Sequence, residues 1–144
     1  MKATKPAMKG FVEKLRSKLE QYGPLPLVEN KDGSVEVEAA DQNGFDVRAA
    51  MGDDGIAVGY ERWHWHEDFE SDDEATNCFM SGVFGEARLA VSKRGNFAHS
   101  WTAEVSTDGD WVPVSTTGYF FFPFWLRRQV RYLRNDRTPR NRDA

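Results

Sequence analysis

The sequence predicts an α+β fold: a mostly antiparallel sheet of about five to six strands, with an N-terminal, a central and a C-terminal helix. Three observations carry this. Apolar residues recur at helical spacing near both ends and once in the middle. The segments between them alternate apolar and polar residues at period two, as half-buried strands do. Short Gly, Asp and Asn turns join those segments, which makes neighbours antiparallel hairpins.

Taken in order, Phe11, Leu15, Leu19 and Tyr22 share one helix face, giving a first helix from about Pro6 to Tyr22, stopped by Gly23-Pro24. Gly23 to Pro26 is a stiff connector. Residues 34–39 alternate Val35 and Val37 with Glu36 and Glu38, and residues 45–51 place Phe45, Val47, Ala49 and Met51 on one face. Gly52-Asp53-Asp54-Gly55 turns the chain into a long third strand over residues 56–66. Ser71-Asp72-Asp73-Glu74 has the spacing of a capping box, so a second helix starts there and turns Ala75, Cys78, Phe79 and Val83 inward. A meander follows over residues 88–93, 97–106 and 111–114, with turns at Arg94-Gly95-Asn96 and Asp108-Gly109-Asp110. In the second of these strands Phe97, Trp101, Ala103 and Val105 share a side. Phe122, Leu126, Val130 and Leu133 fit helical spacing, although residues 130–133 also alternate like a strand; the helix is the preferred reading.

A chain of 144 residues, 40% hydrophobic, builds one sizeable core, hence one domain over residues 1–135 with a polar, frayed tail over 136–144. A lone Cys78 and an opening without a secretory leader point to a reducing, cytoplasmic setting. The longest apolar run, 119–126, is far short of the roughly 20 residues of a spanning helix and contains Pro123, so no membrane partner is expected. The formal charge of −4 is unevenly spread: Lys and Arg crowd both ends, and Glu67, Asp68, Glu70, Asp72, Asp73 and Glu74 form an acidic belt. The basic ends can fold back on that belt or meet it on another copy.

Trp65-His66-Glu67-Asp68-Phe69, Trp101-Thr102-Ala103-Glu104, Ser115-Thr116-Thr117-Gly118, Phe122-Pro123-Phe124-Trp125 and Tyr132-Leu133-Arg134-Asn135 resemble the pattern of a family of small uncharacterised bacterial proteins. The resemblance spans about Gly44 to Asn135 and implies a bacterial source, with no activity, cofactor or catalytic residue to carry over. The predicted order of elements also resembles the small dimeric chaperones of type III secretion, an analogy of fold alone.

The candidate for chemistry lies in residues 60–68. A continuous strand there puts His64 and His66 on one face, about 7 Å apart, and Trp63 and Trp65 on the other. Such a pair can share a zinc ion, with Glu67, Asp68 or His99 completing three ligands and a fourth position open to water. The plainer reading is a strand whose tryptophans pack the core. Ile56, Val58 and Tyr60 share parity with the histidines, so a bulge at Gly59 or two covered faces is required. His99 has the parity of Phe97 and Trp101 and borders the core, and Cys78 is a small buried hydrophobe rather than a nucleophile.

Tyr119, Phe121, Phe124 and Trp125 supply more aromatic surface than a small core takes in, and are the candidate interface for a second copy or a protein partner. The chain has no phosphate-binding loop, dinucleotide fingerprint or nucleophile elbow. The expectation is a non-enzymatic interaction domain that self-associates and needs no cofactor. A metal-dependent enzyme or metal-binding protein using the His64 and His66 face is the alternative. Nucleic-acid binding through the Arg-rich C-terminal segment is a second one, which the pI near 5.4 disfavours.

Overall fold

The helix cap forms where the Ser-x-x-Glu spacing places it. In the computed structural model, which describes residues 4–22, 26–53, 55–119 and 123–135 and side chains from Met8 onward, Ser71 caps helix α2 (Asp72–Val83) and its hydroxyl accepts the Glu74 N–H. The three acidic residues of the first turn face the positive end of the helix dipole. Helix α1 (Thr4–Glu20) closes with turns at Gln21 and Tyr22, and its stripe of Phe11, Leu15 and Leu19 is buried.

Nine strands are seen among the described residues, in two sheets rather than one. The first holds β1 (Val28–Glu29), β2 (Val35–Val37), β3 (Val47–Met51), β4 (Ile56–Tyr60) and β5 (Trp65–Phe69), in chain order. The second holds β6 (Ala87–Arg94), β7 (Phe97–Thr107), β8 (Asp110–Gly118) and β9 (Arg128–Leu133), ordered β8-β7-β6-β9. All pairings are antiparallel, as the hairpin turns require. Val35, Val47, Val58 and Trp65 of the first sheet, Leu89, Trp101 and Leu133 of the second, and the buried sides of both helices make one core. No described helix is long and apolar enough to cross a membrane.

The prediction of one sheet and three helices is therefore corrected to a mostly β fold with two helices among the described residues. The expected C-terminal helix is strand β9. Its helical spacing competed with the unpaired edge of β6, and pairing from Leu89↔Leu133 to Arg94↔Arg128 satisfies that edge and buries Leu133. With that helix gone, the element order behind the likeness to type III secretion chaperones is lost. The expected strand over 56–66 is likewise two strands, β4 and β5, folded on each other by a turn at Glu61–His64. The connector at 23–25, Asp54 of the β3–β4 turn and the expected tail at 136–144 lie outside the described residues.

One buried side chain ties the two sheets and α2 together. Asn135 is fully buried, and its Oδ1 accepts from the N–H of Ala40 (3.0 Å) and of Phe45 (3.1 Å). Its Nδ2 donates to the carbonyls of Phe45 and Gly82, both at 2.8 Å. The whole hydrogen-bonding capacity of the amide is used. Gly44 has to be glycine beside it, because a Cβ there would stand 2.0 Å from Asn135 Oδ1.

Candidate functional site

The turn between β4 and β5 carries an unusual backbone. Glu61, Arg62 and Trp63 have φ of 54°, 54° and 70°, so three consecutive side-chain-bearing residues sit in the left-handed region. Each costs about 1–2 kcal/mol there, and such residues normally occur singly. Specific contacts offset the cost. The Glu61 N–H donates to the Asp46 carbonyl (2.9 Å) and the Arg62 N–H to Asp46 Oδ1 (3.0 Å). The His64 N–H closes the turn on the Glu61 carbonyl at 3.0 Å. Trp63 lies on Gly59, where a Cβ would come within 2.2 Å of the indole. The Arg62 bond uses the backbone N–H, which glycine keeps, and its side chain is exposed, so Arg62→Gly should raise stability by about 0.5–1 kcal/mol, read as a higher midpoint in urea; an unchanged or lower midpoint contradicts this account of the turn.

The turn presents Glu61 and His64 to the second sheet. Trp101 Nε1 donates to Glu61 Oε1 (2.9 Å), and the His64 ring stacks on Trp101 with centroids 4.7 Å apart and planes at 8°. His64 Nδ1 is 2.8 Å from the Glu61 carbonyl and 3.3 Å from its carboxylate. With two acceptors beside it, Nδ1 carries the proton of the neutral ring. Tyr119 then meets Trp101 edge-on at 5.8 Å and Phe97 at 5.8 Å, so the aromatic wall runs from His64 to Phe97.

Phe97 was expected inside. It is 40% exposed because the β6–β7 pairing slips between Ser92 and Lys93: Ser92 faces Ser100, but Lys93 faces Ala98. The extra residue on β7 reverses the parity of the strand end, and Phe97 turns out opposite Arg94. The same end of the sheet holds Phe124, Trp125 and Leu126. Arg94 Nη1 donates to the carbonyls of Phe124 (3.4 Å) and Leu126 (3.0 Å), and Leu126 rests against Gly95, where a Cβ would meet it at 2.8 Å. Phe124 and Trp125 pack edge-on at 5.3 Å. Of the candidate interface residues, Tyr119 is 54%, Phe124 73% and Trp125 71% exposed, and Phe121 lies outside the described residues. Phe97 and Leu126, which join them, were not singled out by the sequence.

The candidate metal ligands are dispersed. His64 belongs to the turn and His66 to β5, so the continuous strand from which a two-histidine face was expected is interrupted. On β5, Trp65 is buried and His66 and Asp68 are exposed, while Glu67 turns to the other side and accepts from Ser115 Oγ at 2.9 Å. Among the described residues no three His, Cys, Asp or Glu side chains gather closely enough to hold a metal ion. His99 is buried at the bulge, and that burial, with the Arg94 and Arg128 guanidiniums, holds its imidazole below the usual histidine range. Enclosure pushes the Cys78 thiol up to about 12, with a hydrogen bond from Tyr60 opposing and the charge of Glu67 adding, so it is not a nucleophile at neutral pH.

Three described arginines of the basic segment are tied to the fold. Arg128 donates to Ser92 Oγ, Arg131 to the Gln42 carbonyl and Arg134 to the Gly85 carbonyl. Arg88, paired with Glu104, stacks over Trp111 (4.6 Å) and Tyr132 (4.0 Å) on the outer face of the second sheet.

No protein-family model matches the chain, and no curated protein or solved structure is significantly similar to it.

Proposed function

We propose that the protein is a non-enzymatic interaction domain that self-associates through the aromatic surface at the β6–β7 hairpin end. The observation that carries this reading is the exposure of Phe97, Tyr119, Phe124, Trp125 and Leu126 together at one end of one sheet. Monomeric proteins rarely leave so many large apolar groups side by side, and aromatic residues beside Arg are the types enriched where proteins meet. Arg94 pins the loop by its backbone, so the rings are held out rather than folded in. A second copy is the favoured occupant because the chain supplies both charges: arginines beside the rings, and an exposed acidic belt at Asp68, Glu70, Asp72, Asp73 and Glu74.

The test is the double variant Phe124→Ser/Trp125→Ser. Both rings are mostly exposed, so the thermal midpoint should stay within about 2 °C of the parent, since surface changes cost within about 0.5 kcal/mol. Assembly in sedimentation velocity should be lost. Retained assembly would place the interface elsewhere.

A further inference from the structure

Where the first sheet meets the second there is a slot of about 220 Å³, walled by Tyr60, Trp65 and Phe69 on one side and Ala103, Val105 and Val114 on the other, with Cys78 of α2 on its floor. Its surface is almost wholly apolar, and Glu67 is the one charged residue in its lining, beside the neutral Asn77 and Ser81. An apolar cavity of about 150 Å³ holds a benzene ring, so this one takes a ring with a short substituent. A larger groove of about 690 Å³ between α1 and the β1–β2 hairpin is less selective: Lys9, Arg16 and Lys31 alternate there with Glu13, Glu29 and Asp32, and Arg16 pairs with Glu29 across it.

Glu67 gives the slot its chemistry. A relay runs from Trp65 Nε1 to Ser115 Oγ (3.1 Å) and from Ser115 Oγ to Glu67 Oε1 (2.9 Å), which fixes the carboxylate at the wall. No cationic side chain pairs with Glu67 among the described residues. Glu67, Phe69 and Asn77 also line an open cleft with Asp68, Glu70 and Glu74, so the slot opens beside a strongly acidic rim. Such a rim draws cations in and repels anions.

We infer that this slot is a binding site for a small organic cation, an aralkyl or alkyl amine whose apolar body fills the space between the sheets and whose ammonium pairs with Glu67. The inference is independent of self-association. Burial of the body follows from the ring-lined walls, and a charge-assisted hydrogen bond to a fixed, half-buried carboxylate sets the preference for an ammonium over a neutral group.

The experiment titrates ¹⁵N-labelled full-length protein with benzylamine, benzyl alcohol and benzoate, following the Trp65 indole N–H, which Trp65→Phe identifies. Benzylamine should shift that resonance saturably, benzyl alcohol should bind about tenfold or more weakly, and benzoate should not bind. Glu67→Gln should erase the difference between amine and alcohol. Ala103→Leu, which fills the slot, should abolish binding of both; should that variant not fold, Glu67→Gln decides. No saturable shift with benzylamine, equal affinity for amine and alcohol, or an amine preference that survives Glu67→Gln would each overturn the assignment.

Discussion

Asn135→Ala should cost about 3–5 kcal/mol of stability, the largest effect expected from any polar substitution in this protein. Four backbone groups, the N–H of Ala40 and Phe45 and the carbonyls of Phe45 and Gly82, would lose their partner, the last three of them in buried contacts. A buried group left unpaired costs its full desolvation, about 1–3 kcal/mol, and some relaxation among the four keeps the total below the sum. Against a total stability of roughly 5–15 kcal/mol, the variant would be marginal. Asn135→Asp tests whether hydrogen bonding rather than shape is responsible. It sets a carboxylate oxygen against two carbonyls, so its pKa in the fold is raised above the unfolded value; stability is retained below the unfolded pKa and lost as pH rises through the folded one. The Asp variant should therefore resemble Ala at pH 7 and recover in acid, measured by urea unfolding at both pH values. An Asp variant as stable as the parent at pH 7 would contradict the four-bond role.

Trp65→Ala should be comparably severe, about 3–5 kcal/mol. Trp65 is 2% exposed, lies against Tyr60 with centroids 4.6 Å apart, and Tyr60 in turn meets Phe45 at 4.6 Å. Its indole N–H also reaches the Ser115 carbonyl (3.2 Å) and hydroxyl (3.1 Å), a side-chain link between the β5 edge of one sheet and β8 of the other. Trp65→Phe separates the two contributions: it keeps a ring in place and removes the donor, and should cost about 1–2 kcal/mol. Equilibrium unfolding of the pair measures both. A Phe variant as damaged as Ala would mean that the hydrogen-bonded seam, not the packing, dominates.

Much of this fold was legible because the residues concerned act locally. Ser71 and Glu74 are three apart in any helix, and the glycines at 52, 55, 95 and 109 mark turns through backbone freedom that sequence displays directly. What escaped depends on distant partners. Nothing in Glu61-Arg62-Trp63 announces a reversal, since none is a turn residue; the left-handed turn exists because Asp46, Gly59 and Trp101 stand ready to hold it. Residues 122–133 fit helical spacing while 130–133 also alternate like a strand, and the free edge of β6 decided for the strand at β9. Asn135 reads only as the last residue of the domain until its partners at 40, 45 and 82 are in place. The site divides the same way. Tyr119, Phe124 and Trp125 stand out as an aromatic run too rich for the core, whereas Phe97 joins them only because a bulge reverses its parity. The continuous strand behind the two-histidine face escaped for the converse reason, since a turn at 61–64 interrupts it.

The most direct measurement of the central claim is multi-angle light scattering on the purified full-length chain across micromolar concentrations. Self-association through the aromatic end predicts a mass that climbs from 16.4 kDa toward at least twice that value as concentration rises. A constant 16.4 kDa over the whole range would contradict it.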